Sequence, residues 1–200
     1  MIKDLKAAYV LVALNVVIWI LGVIQSFSGM PGSLPLDAVT GGIYVPDIVK
    51  GGQWYRIITA MFLHDGFYHL ASNMLALFLL GRMMERMMGS LRFILTYFIA
   101  GIGGNLVALY WDLIHGDYFY TLGASGAILG LVGALLAVSV NKHDGIPGVN
   151  VKRALIACVL MLIPTSSNVS MTAHLGGFVF GFAAAYIIGS LFPVKKSVKR

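Results

Sequence analysis

Charge is what this chain lacks most. Only 11% of its 200 residues are Asp, Glu, Lys or Arg, against about 25% in an average soluble domain, and a water-surrounded globule is thereby excluded. Cysteine occurs once, at Cys158, so no internal disulfide can form, and its position in an apolar run reads as a small buried hydrophobe. No HExxH stretch occurs, so zinc metalloprotease chemistry of that type has no ligands, and no metal or cofactor is expected. The apolar runs also lack a pair of aspartates, because Asp112 and Asp117 fall in a connecting segment.

What the chain has in place of charge is 58% hydrophobic residues and a mean hydropathy of +0.86. A bilayer core of about 30 Å needs roughly 20 apolar residues per helical span, and six candidate runs are present. They begin at Ala7, Phe67, Phe93, Thr121, Ala154 and His174. Backbone groups in lipid must be satisfied within their own segment, which makes helices the expected form. The reading is an all-α polytopic membrane protein of one domain over 1–200, with spans near 8–27, 67–88, 92–111, 122–141, 151–165 and 173–192 and a long outer loop over 28–66. The first run resembles a signal peptide in its flanking Lys3 and Lys6, but no A-x-A-like site follows and five further spans do, so a retained helix is expected.

The net charge of +6 raises the question of nucleic acid, and its distribution argues against that partner. With the N-terminus on the cytoplasmic side, 12 of the 14 basic residues lie on inner segments and only Lys50 and Arg56 lie outside, as the positive-inside rule requires. A multi-pass protein of the cytoplasmic membrane with both termini inside is expected. The fifth run is short: Ala154–Pro164 has eleven residues, which at 1.5 Å each reach about half the core. Such a helix either leaves a lateral opening or continues irregularly into TSSNVSMT.

With that orientation, the second, fourth and sixth spans all descend from the outer face, so their first turns share one level. Those turns carry His69 and Asn73 in HLASN, Ser125 in GASG and His174 in AHLGG. Ser125, about four residues or roughly 6 Å into its span, reads either as a helix cap or as a nucleophile beneath the positive end of a helix dipole. His174 reads either as a satisfied structural histidine or, as an ionisable group within the membrane, as a functional one. Paired, they suit proton transfer from hydroxyl to imidazole and on to a leaving amine. His69 and Asn73, four apart, share a face, and the Asn73 amide suits either an oxyanion or an interhelical hydrogen bond. No carboxylate has an obvious place to orient His174, so a dyad is expected rather than a triad. Gly126 with Gly130 and Gly177 with Gly181 are small-xxx-small pairs that would let the fourth and sixth spans approach closely.

Taken in order, HLASN, GRMMERMMGSLRF, GASGAILG and AHLGGFVFG resemble the rhomboid intramembrane serine proteases over nearly the whole chain, in the minimal six-helix bundle. QWYR is similar to that family's first-loop Trp-Arg motif. The resemblance implies a Ser125–His174 dyad, with Asn73, His69 and the Ser125 amide at the oxyanion. It also implies structural roles for Arg82 and Glu85, a first loop in the outer interface, and control of substrate access by the fifth span and the segment after Pro164. Substrates would be single-span membrane proteins in the lipid bilayer, cut near the outer face. Some relatives stack an aromatic residue on the histidine one turn after the serine, where this chain has Leu129. The alternatives are an inactive client-binding relative, expected to have lost Ser125 or His174, and a small transporter, expected to carry polar groups near the midplane.

Overall fold

A computed structural model describes residues 6–28, 36–116, 118–140 and 170–191. Three helices among them are long and apolar enough to cross a bilayer: α1 (Ala7–Ser28), α7 (Ser90–His115) and α9 (Met171–Leu191). A fourth, α8 (Ser125–Val140), is shorter and apolar apart from Ser125 and Ser139. Helices with apolar residues on every side belong in a lipid or protein interior. Here Val10, Val17 and Ile24 of α1 and Leu175, Val179 and Ile187 of α9 are exposed, the sides a bilayer would cover.

The span beginning at Phe67 is continuous but irregular. It runs as α5 (Phe67–Ala76), a five-residue π turn (Leu77–Gly81) and α6 (Arg82–Met88). In an ideal α-helix Asn73 and Glu85, twelve positions apart, would point about 120° away from each other. A π turn takes up one extra residue and cuts that to about 20°. Both side chains are buried. The Glu85 carboxylate accepts hydrogen bonds from the Ala7 and Ala8 amides at 3.1 and 3.0 Å and from the Ser90 hydroxyl. It satisfies amides that the start of α1 leaves without helical partners, at the end where a negative charge is favoured, and it ties α1, α6 and α7 together. The structural role expected of Glu85 has this contact as its content. Arg82 lies over the rings of Tyr9 of α1 and Phe78 of the π turn at 5.2 and 5.1 Å, a cation–π contact that links α1 to the span beginning at Phe67.

The outer loop expected over 28–66 is ordered over its described part. It holds α2 (Ala38–Gly41), α3 (Val45–Val49), α4 (Arg56–Thr59) and a 3₁₀ turn (Ala60–Phe62). Asp37 and Thr40 form a reciprocal capping box at the start of α2, and Pro46 stands in the first turn of α3, where its missing N–H costs nothing. Arg56, only 3% exposed, organises the loop: it donates to the Gly42 and Val39 carbonyls, to Gln53 and to Asp47, the last at 2.7 Å. Trp54 and Tyr55 are exposed beside it, as suits aromatic side chains at a headgroup boundary.

The small-residue pairs do what their spacing suggests. A Cβ placed on Gly177 would overlap the Gly126 carbonyl, and one on Gly181 would overlap the Gly130 carbonyl. α8 and α9 therefore meet backbone to backbone. The expected fifth span over 151–165, its proposed control of access, and Cys158 lie outside the described residues.

Candidate active site

Ser125 is the first residue of α8, three positions later than the span expected from 122, so it opens the helix and does not lie a turn inside it. The Ala124 carbonyl accepts the Ile128 amide at 3.0 Å and closes the first helical turn. Just before it, Gly123 has φ of +125°, a backbone conformation that side-chain-bearing residues rarely adopt. Its amide donates to the Ala60 carbonyl at 2.8 Å. The hydroxyl thus sits where the unpaired amides of a helix start gather, and the residue is 7% exposed.

His174 arrives from the other side on the first turn of α9. Ser170 caps that helix through its hydroxyl, which accepts the Ala173 amide at 3.2 Å, and its carbonyl accepts the His174 amide at 3.1 Å. The cap fixes where the imidazole leaves the helix. His174 Nε2 and Ser125 Oγ are 2.7 Å apart, buried, across 49 positions of sequence. His174 Nδ1 is buried with no hydrogen-bond partner among the described residues. With the proton on Nδ1, the Ser125 hydroxyl donates to Nε2, which is the arrangement a general base needs.

His69 comes from α5 and is 1% exposed. The Asp65 amide donates to its Nδ1 at 3.3 Å. A nitrogen that accepts holds no proton, so the neutral ring carries its proton on Nε2. That Nε2 has no hydrogen-bond partner among the described residues and lies 2.8 Å from where a Cβ on Gly123 would stand, with Ser125 Oγ 3.6 Å from the same point. It is an idle donor facing the serine turn. Asn73 lies one turn along the same face, 1% exposed, and one of its amide hydrogens goes to the His69 carbonyl at 2.8 Å. Its second amide hydrogen stays available. Ser125, His174 and His69 thus converge, while Asn73 backs His69 with no direct bond to the serine.

Sequence reasoning missed His64. Its ring packs edge-on against His69, with centroids 5.0 Å apart. The residue as a whole is half-buried, yet both ring nitrogens are shut away from solvent without a hydrogen-bond partner among the described residues, and the nitrogens are what would carry charge. Burial, then the neighbouring His69, push its pKa from 6.5 down to about 3, against a weak opposing effect of the Phe62 backbone. The only hint in the sequence is a second histidine five positions before His69, across Gly66. Because the folded value lies below the unfolded one, the unfolded chain binds more protons in acid. The contribution of His64 to stability is then complete above pH 6.5 and declines as pH falls toward 3. The unfolding midpoint in detergent should therefore drop over that window, and His64→Phe should flatten the decline; equal slopes in the two proteins would refute the assignment to His64.

A helical protein built to sit in a bilayer, with a serine and a histidine hydrogen-bonded inside it and an imidazole donor alongside, belongs to the class of intramembrane serine hydrolases. The rhomboid domain model matches residues 51–191, and the chain belongs to the rhomboid family of intramembrane serine proteases. It is 35% identical to YdcA of Bacillus subtilis (strain 168) over 179 residues, 88% of this chain and 85% of that one. The rhomboid protease GluP of the same organism is 33% identical over 90% of this chain but only 34% of its own length. The rhomboid protease AarA of Providencia stuartii is 31% identical over 88% of this chain and 73% of its own.

Proposed function

We propose that this protein is an endopeptidase that cuts single-span membrane proteins within their transmembrane segments, near the outer face, with Ser125 as nucleophile and His174 as general base and acid. The observation that carries this reading is the buried 2.7 Å contact between Ser125 Oγ and His174 Nε2. In the first step the hydroxyl proton passes to Nε2 as Oγ bonds to the scissile carbonyl carbon, and the carbonyl oxygen becomes an oxyanion. The Ser125 amide and the His69 Nε2–H face the serine turn and would donate to that oxygen, with the second hydrogen of Asn73 as a further contributor. His174 then gives its proton to the leaving amine, and the C–N bond breaks. Water, deprotonated by the same imidazole, then attacks the acyl carbon, and His174 returns that proton to Ser125 Oγ as the acyl–oxygen bond breaks, which releases the new carboxyl end and restores the serine.

Both members of the pair are retained and bonded, which favours an enzyme over an inactive client-binding relative. The clustering of polar groups at one end of α5, α8 and α9 favours it over a transporter with a midplane site. The membrane placement that goes with this reading has six spans, 151–165 among them, and both termini on the cytoplasmic side. A fluorophosphonate probe should form a single adduct on Ser125 of the purified protein, and a single-span test substrate should be cut at a site mapping just below the outer headgroups. An adduct elsewhere, or cleavage in a soluble juxtamembrane segment, would overturn the reading.

A further inference from the structure

The turn that carries Ser125 does not hold its shape alone. Gly123, two residues before the serine, has the positive φ that glycine permits, and its amide is bonded to the Ala60 carbonyl at 2.8 Å. Ala60 is fully buried and follows α4 directly into the 3₁₀ turn. The Ile57 carbonyl in that same α4 accepts the amide of Asn105 at 2.8 Å, across 48 positions of sequence. Asn105 lies in the middle of α7 and is 5% exposed. One turn earlier, Gly101 leaves room for Met61, whose side-chain end any Cβ there would strike, with Ala127 of α8 next to it. One turn later, Leu109 joins Ile57, Ala60, Ile43 and Ile48 in one apolar cluster. The segment 57–61 is wedged between α7 and the start of α8. A second link runs parallel to it: Ile43 and Thr121 exchange backbone hydrogen bonds at 2.8 and 3.0 Å, and Tyr44 stacks on Tyr120 at 4.5 Å.

We propose that Asn105 is a positioning residue for the peptidase reaction, acting through the Ile57 carbonyl and the Ala60–Gly123 bond to hold the Ser125 turn against His174 and His69. The inference rests on the proposed function above and adds to it a residue that touches neither substrate nor the reacting atoms. The physical reason is directional. The apolar cluster supplies burial but no register, because hydrophobic contact is non-directional. One buried amide with a single carbonyl acceptor sets the height of α4 on α7, and with it the height of Ala60 under Gly123.

The test uses Asn105→Leu, nearly isosteric and apolar, and Asn105→Asp. In Asn105→Leu the unfolding midpoint should fall only modestly, because the buried Ile57 carbonyl loses its side-chain partner while the apolar cluster stays intact. Its kcat should fall by about ten- to a hundredfold, the scale of a sub-ångström to 1 Å misplacement, with KM little changed and the fluorophosphonate labelling rate reduced in parallel. In Asn105→Asp the carboxyl can donate to Ile57 only when protonated, so activity should approach wild type in acid and decline as pH rises, relative to the wild-type profile. Wild-type kcat and labelling rate in Asn105→Leu would overturn the proposal, as would a loss of kcat that tracks the loss of midpoint with no acid rescue in Asn105→Asp. Failure of the wild-type protein to label at Ser125 would instead strike the proposed function, which keeps the two outcomes apart.

Discussion

Ser125→Ala is expected to abolish cleavage of a single-span test substrate while leaving the fold in place. Loss of a serine nucleophile in a cooperative catalytic unit lowers kcat by on the order of 10⁶-fold, which for an intramembrane enzyme is below detection. The cost in stability is small by comparison. The substitution removes one hydroxyl and leaves His174 Nε2 without its 2.7 Å partner, which amounts to about 1–3 kcal/mol, and it creates no cavity larger than the lost oxygen. Turnover and unfolding midpoint should therefore separate sharply. His174→Ala should have the same kinetic effect, and the double variant should be no worse than either single one, because the two groups act as a unit. Measurable turnover in Ser125→Ala would show that another nucleophile does the work.

Gly181→Ala is expected to damage both fold and activity, although it adds one methyl group to a helix and alanine is the better helix former. The new Cβ would overlap the carbonyl oxygen, carbonyl carbon and Cα of Gly130. All three are backbone atoms in the middle of α8 and cannot rotate aside as a flexible side chain would. Overpacking of this kind costs roughly 1–3 kcal/mol and occasionally more, and relief requires α8 and α9 to move apart. Those two helices carry Ser125 and His174, so separation opens the hydrogen bond between them. The unfolding midpoint and the fluorophosphonate labelling rate should fall together. Gly126→Ala is the control within the same pair of helices. Its Cβ would come no closer than 3.2 Å to the Ala173 carbonyl oxygen, so its losses should be much smaller. Equal behaviour of the two variants would mean that the helices do not meet backbone to backbone where the structure has them.

Much of the site was legible because it depends on local pattern. HLASN, GASG and AHLGG each stand at the start of an apolar run, and placing three run starts at one level needs only helical geometry and alternating direction through a membrane. The glycine spacings likewise pointed to the close approach that Gly126, Gly130, Gly177 and Gly181 make. What stayed hidden involves partners that no spacing relates. The π turn at Leu77–Gly81 has no marker in LFLLG, yet it brings Asn73 and Glu85 onto one face. The expected depth of Ser125 changed because helix starts depend on which amides find partners, and the Gly123 amide found Ala60. Asn73 as the expected oxyanion group is partly occupied by His69, a bond decided by rotamer and not by sequence distance.

By itself the sequence determined that this protein lives in a bilayer, where most of its described long helices run, and which few polar side chains stand at the starts of three of them, because hydropathy and helical spacing are properties of short stretches of chain. Only the tertiary structure decided that Ser125 and His174 come within hydrogen-bonding distance, that the ring nitrogens of His64 are shut away beside His69, that Asn105 bonds to the Ile57 carbonyl, and that Arg56 gathers Val39, Gly42, Asp47 and Gln53 around it. Those contacts join residues far apart in the chain, and their geometry is set by backbone packing between helices, which no local pattern encodes.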